Sequence, residues 1–192
     1  MKAASKRIAI LSAAILLGAC AAPGFKAKHD YDDSVNFSSY QTFAWISNNP
    51  MKLGVTSVPP SAMLEPRIMS SLERALVAKG YRFAKQPNAA DFVLSFTVGS
   101  REEIRVDSYP SMGGPGYPSR WGWGGSYYGY GTETTVRQYT KGVLAVDIFS
   151  VQQRRPVWHG YATKKITESD RDNSSATIDA AVAAIIAGFP PQ

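Results

Sequence analysis

The chain of 192 residues has a single cysteine, two histidines and no block of like charge. The lone Cys20 excludes an internal disulfide framework and any metal site built on several cysteines. His29 and His159 are too few for a histidine-rich centre, so no metal and no cofactor is expected. No G-x-x-x-x-G-K loop occurs, and Gly122-Trp123-Gly124 lacks the third glycine and following helix of a dinucleotide site. Around Ser126 the run Gly124-Gly125-Ser126-Tyr127-Tyr128 misses the second glycine of a nucleophile elbow. Glu102, Glu103, Asp107, Glu133 and Asp147 form no spaced acid–base pair. An enzyme is therefore not expected. What is present is an ordinary apolar fraction, 44%, enough for one globular domain.

The N-terminus carries Lys2, Lys6 and Arg7 without an acid, followed by the apolar run Ile8–Leu17. That is a secretory leader, 1–19, whose apolar core is too short to span a bilayer. It ends in Leu17-Gly18-Ala19-Cys20, which resembles the lipobox of bacterial lipoproteins. The resemblance implies cleavage between Ala19 and Cys20, a thioether-linked diacylglycerol on Cys20 and acylation of the new terminus. Each buried CH₂ is worth ~0.8 kcal/mol, so two or three chains anchor firmly where one would not. Ala21 follows Cys20 where an aspartate commonly retains lipoproteins in the inner membrane. By that resemblance the destination is the outer membrane, with the domain facing the periplasm.

Loss of the leader takes Lys+Arg from 21 to 18 against 15 acids, so the charge falls from +6 to +3. With no basic cluster along the sequence, nucleic-acid binding is not expected. Residues 20–34 are polar and read as a tether. The run Lys28-His29-Asp30-Tyr31-Asp32-Asp33 has metal-ligand residue types, but a solvated spacer explains it, with a strand starting near Tyr31.

From 35 to 192 the pattern is that of one domain. Aromatic and β-branched residues predict a strand over Gln41–Ile46, and prolines and glycine predict a loop over Ser47–Pro60. Leu64, Ile68, Leu72, Ala75 and Leu76 share a helical face, with Ser61 as N-cap and Gly80 as stop. Phe92, Leu94, Phe96 and Val98 alternate as a strand over Asp91–Val106. Thr132–Ser150, with a bulge or bend at Gly142, and Arg155–Lys164 are two further strands. A second helix, Ser174–Gly188, is expected with Asn173 as its cap. The order β-α-β-β-β-α predicts an α+β two-layer sandwich: one mainly antiparallel sheet with two helices on one face.

Four segments in this order resemble a known family. They are Phe37-x-x-Tyr40-x-Thr42-Phe43-x-Trp45, then Lys79-Gly80-Tyr81 with Ala90-Asp91-Phe92, then Val157-Trp158-x-Gly160-x-Ala162, and finally Phe189-Pro190-Pro191. Together they are similar to the lipoprotein family catalogued as domain of unknown function 4136, over about residues 31–191. The resemblance implies a secreted, lipid-anchored domain of Gram-negative bacteria and no established reaction.

One stretch, 108–131, exceeds the usual loop length and holds eight glycines, three prolines, five tyrosines and two tryptophans. Trp121, Trp123, Tyr127, Tyr128 and Tyr130 offer flat apolar faces with polar edges, suited to a peptide, a sugar ring or a headgroup layer. The sheet face away from the helices, with Ser95, Thr97, Arg101 and Asp147, is a second candidate surface. The expectation is a membrane-anchored binding or structural domain with an envelope protein partner. A glycan-binding module using Trp121 and Trp123 is the alternative. A hydrolase comes third and would require a cleft around His159.

Overall fold

The computed structural model describes residues 24–56, 59–111 and 131–191. Seven strands form one mixed sheet: β1 (Lys26–Tyr31), β2 (Thr42–Trp45), β3 (Met51–Leu53), β4 (Arg82–Phe83), β5 (Phe92–Ser111), β6 (Gly131–Ser150) and β7 (Arg155–Ile166). Their order is β1-β7-β6-β5-β2-β4, with β3 also beside β5. β1, β7, β6 and β5 pair antiparallel, and β2, β3 and β4 join in parallel. The helices are α1 (Leu64–Ala78), the short α2 (Glu168–Asp172) and α3 (Ser174–Ile186). The α+β sheet-and-helix architecture follows the sequence pattern.

Alternation in β5 and β6 turns Phe92, Leu94, Phe96, Leu144, Val146 and Ile148 to one side, where they are buried. Ile68, Leu72 and Leu76 of α1, with Val182, Ile185 and Ile186 of α3, close over them. The two helices are tied by Asp179, which accepts from Ser71 Oγ at 2.5 Å and pairs with Arg74 at 2.7 Å. α1 stops at a Schellman turn: Tyr81 N–H donates to Leu76 O and Gly80 N–H to Val77 O. Gly80 takes φ 95° there, which only glycine adopts without strain.

Several elements differ from the sequence expectation. Lys26–Tyr31, inside the 20–34 stretch read as tether, is a full edge strand paired with β7. All six of its residues are exposed, so it carries no hydrophobic alternation to read. β3, inside the expected 47–60 loop, and β4 have only three and two residues, too short for a period. α2 opens with a capping box between Thr167 and Asp170. Asn173 stands at the N-cap position of α3, as expected, and its carbonyl accepts from Thr177 N–H, but its side chain makes no capping bond and its Nδ2 donates back to Ser169 O. Gly142 holds regular register, and the room its missing Cβ leaves is taken by the Ile166 side chain. The irregularity lies at Ile148/Phe149 instead, beside Pro156, which has no N–H for the ladder.

The C-terminus closes the core. Phe189 is fully buried, its ring centroid 5.3 Å from Trp158, 5.4 Å from Phe92, 5.6 Å from Tyr81 and 5.9 Å from Phe37. Lys79 Nζ donates to Phe189 O, and Trp158 Nε1 donates to Gly188 O at 3.2 Å. The Trp158 indole lies across Gly160, where any Cβ would fall inside the ring. Asp91 clamps β2 to the start of β5: its carboxylate accepts from the N–H groups of Gln41 and Thr42 and from Thr42 Oγ1, at 2.8–2.9 Å. Burial alone would raise the Asp91 pKa, but those bonds outweigh it and hold it below the usual carboxylate value. Phe189→Ala is expected to cost about 3–5 kcal/mol in urea unfolding, the range for a buried aromatic truncated to a cavity. A loss below about 1 kcal/mol would show that the terminus does not close the core.

Candidate functional site

Ala19 and Cys20 lie outside the described residues, as do Trp121, Trp123, Tyr127, Tyr128 and Tyr130. The fold nevertheless fixes where the aromatic segment departs and returns. β5 and β6 pair without interruption from Phe92↔Ser150 to Ser111↔Gly131. β7 stops pairing with β6 at Thr140, and β3 stops pairing with β5 at Val98. Beyond these points the hairpin continues as a two-stranded ribbon. From Glu103 to Ser111 it extends roughly 30 Å at the strand rise. Residues 112–130 thus begin and end at its tip.

One face of the ribbon carries an uncovered apolar cluster beside the Gln138–Glu102 hydrogen bond. Ile104, Val106 and Val136 are 67%, 57% and 62% exposed, and Val106 and Val136 are cross-strand partners. The other face is a polar network centred on Glu103. Its carboxylate accepts from Tyr139 Oη at 2.7 Å and pairs with Arg101 at 2.6 Å and Lys141 at 3.5 Å. The Tyr139 and Arg101 bonds hold Glu103 below its ordinary pKa, and the same carboxylate pushes Tyr139 up. A lone two-stranded ribbon is marginal in water, so this network stiffens the stem while the opposite face stays open.

The helix-free face of the sheet carries a row across four strands, Ser95↔Asp147↔His159↔Asp30. Asp147 Oδ1 lies 2.7 Å from His159 Nδ1. The row contains the residue types of a nucleophile relay in the wrong order. A relay needs the histidine against the hydroxyl, whereas here the aspartate stands between them and Ser95 is two strands, roughly 9.5 Å, from His159. Among the described residues, no group of three or more histidine, cysteine or carboxylate side chains is placed to hold a metal.

Of the four residues expected on this face, Ser95 is not on the surface: it is 0% exposed, and its Oγ has no hydrogen-bond partner. Thr97 and Asp147 are half-buried, and Arg101 is exposed and paired. A shallow hollow of about 420 Å³ lies here between Thr97, Arg101, Lys141 and Tyr161.

On the opposite side, where β5 and β6 leave the helices, an apolar cavity of about 310 Å³ opens between Phe25, Leu64, Ile68, Leu144 and Ile166. Its wall is held by the Lys164–Asp170 pair at 2.6 Å, which keeps the Asp170 carboxyl well below the usual range. Sequence reading missed this cavity because Phe25 and Ile166 belong to no periodic run. Neither hollow is lined by His159.

The unpartnered Ser95 hydroxyl gives a direct check on these assignments. A buried hydroxyl without a partner costs about 1–3 kcal/mol. Ser95→Ala is therefore expected to raise stability by about 1 kcal/mol in urea unfolding. A loss of stability would mean that Ser95 has a partner and that the row needs another explanation.

No curated protein matches the sequence. Among solved structures, the chain is similar to a DUF4136 family protein from Bacteroides thetaiotaomicron, at 17% identity and TM-score 0.51, covering 84% of this chain and 94% of that one. A PDZ domain protein from Parabacteroides distasonis is similar at 14% identity and TM-score 0.45, covering 88% and 37%. The PelC dodecamer from Paraburkholderia phytofirmans is similar at 12% identity and TM-score 0.45, covering 84% and 94%. The first shares the fold. The family model described as domain of unknown function (DUF4136) matches residues 27–191, and the segments it spans are those that build the aromatic core and the Asp91 clamp: the chain belongs to the DUF4136 family.

Proposed function

We propose that the chain is an envelope lipoprotein, anchored at the outer membrane through Cys20, whose periplasmic domain is a non-catalytic binding or structural module. The lipobox supports the anchor. The observation that carries the binding role is the β5–β6 ribbon, which projects past every neighbouring strand with Ile104, Val106 and Val136 uncovered on one face. Scattered exposed apolar residues are ordinary, but a contiguous patch on a projecting arm marks an interaction site. A protein partner that docks on the ribbon would bury that stripe and supply the layer that two strands lack.

The second reading is a glycan-binding module. It is favoured by the position of Trp121 and Trp123 in the segment that the ribbon carries at its tip, where planar rings could stack on sugars. In-cell photo-crosslinking separates the two. A crosslinker at Ile104 or Val106 is expected to give a discrete protein adduct, one placed at the exposed Val77 on α1 is not, and Val136→Lys is expected to abolish the adduct. The protein-contact reading fails if Ile104 and Val77 behave alike. It yields to the glycan reading if the chain sediments with peptidoglycan and Trp121→Ala with Trp123→Ala abolishes that.

A further inference from the structure

β1 ends the sheet, and no described strand pairs with its outer side. The Asp32 N–H donates to Val157 O at 3.0 Å, in step with the β1–β7 register. Backbone groups alternate sides along an antiparallel strand, so Lys26, Lys28 and Asp30 direct theirs to β7. Those of Ala27, His29 and Tyr31 point outward. The outward Tyr31 N–H is met by its neighbour's side chain, Asp30 Oδ1 at 3.0 Å. All six residues of β1 are exposed, and Lys26, Lys28 and Asp30 share one face of it. α3 packs mainly on β7 rather than on this edge, which leaves the outer side of β1 clear of the described helices.

We propose that this edge is a dimerisation strand: two copies of the chain pair β1 against β1, antiparallel about a two-fold axis through His29. The outward backbone groups and the charges select the same register. With His29 opposite its own copy, Ala27 meets Tyr31 on either side, and these three pairs exchange about six N–H···O bonds. Lys28 then stands opposite Asp30 twice, in the closely spaced positions between those bonds, where side chains interact most. Lys26 falls opposite Asp32, which Arg155 and Ser34 already hold, so the Lys28–Asp30 pairs set the register. Other overlaps that keep the outward groups paired bring like charges together. An axis one residue earlier puts Lys28 on Lys28, and two earlier puts Lys26 on Lys28. An axis one residue later puts Asp30 on Asp30, and two later puts Asp30 on Asp32. Charged edge strands ordinarily resist open-ended pairing; the charges of β1 resist every long overlap but one. The result is one continuous sheet with both sets of helices on the same side, and association through β1 stops at two copies. Neither the lipid anchor nor the ribbon takes part in it.

The test uses residues 20–192 with Cys20→Ser, so that neither acylation nor a disulfide at that position contributes. The core described above runs from Val35 to Phe189, so this chain holds all of it. Sedimentation equilibrium at about pH 8, where histidine charge plays no part, is expected to show a reversible monomer–dimer equilibrium in the micromolar range, as suits a small interface. Lys28→Asp and Asp30→Lys each turn both facing pairs into like charges, and each is expected to raise Kd on the order of tenfold or more. Mixed in equal amounts, the two variants oppose unlike charges again and are expected to associate within about threefold of the unaltered strand. In the same background His29→Cys, on the axis, is expected to oxidise to a linked dimer, because facing Cα atoms stand about 5.5 Å apart. Lys52→Cys on β3 is expected to stay monomeric. Circular dichroism confirms that each variant is folded. A chain that remains monomeric up to about 0.5 mM overturns the proposal. So does a dimer that either charge reversal leaves unchanged, or a mixture of the two variants that fails to associate. Should a reversal unfold the chain, the cross-link decides, and no linked dimer from His29→Cys overturns the proposal.

Discussion

The structure depends on the closure of Phe189 over the end of the sheet. Its ring meets Trp158 from β7, Phe92 from β5, Tyr81 after α1 and Phe37 before β2, so one side chain joins four separate parts of the chain. The polar groups brought in with it are satisfied locally. Lys79 reaches the Phe189 carbonyl, with burial holding its ammonium below the ordinary lysine pKa, and the Trp158 indole N–H takes the Gly188 carbonyl. Close packing explains the small residues nearby: Gly160 lies under Trp158, and a Cβ at Gly188 would strike the His29 ring.

This closure says what the family signature is for. Phe37, Tyr40, Thr42, Phe43, Tyr81, Asp91, Phe92, Trp158, Gly160 and Phe189 all lie in the aromatic cluster or the clamp beside it. The signature therefore specifies a scaffold, and the features that distinguish this chain lie outside it: the N-terminal stretch with Cys20, the β5–β6 ribbon, and the helix-free face. A binding role follows from that division more naturally than a reaction does. Among the described residues, the row Ser95↔Asp147↔His159 places the aspartate between the hydroxyl and the imidazole, against the order of a nucleophile relay.

The sequence made the core legible because burial imposes a period. Phe92–Leu94–Phe96 and Ile68–Leu72–Leu76 announce a strand and a helix, and both occupy the core as that spacing requires. It was silent on β1, whose KAKHDY has no apolar alternation because an edge strand that gains its place through backbone pairing needs none. Ser95 looked like a surface residue because serine in a strand says nothing about what covers it, yet it is fully buried.

On the proposed reading, a rigid scaffold is held at a membrane by its N-terminus and works through its surfaces. The decisive measurement is membrane fractionation of the native host, with mass spectrometry of the mature N-terminus in wild type and Cys20→Ala. The expected result is a chain that starts at an acylated Cys20 in the outer-membrane fraction and is lost from the membrane in the variant. A soluble, unmodified wild-type chain that starts elsewhere would refute the anchor.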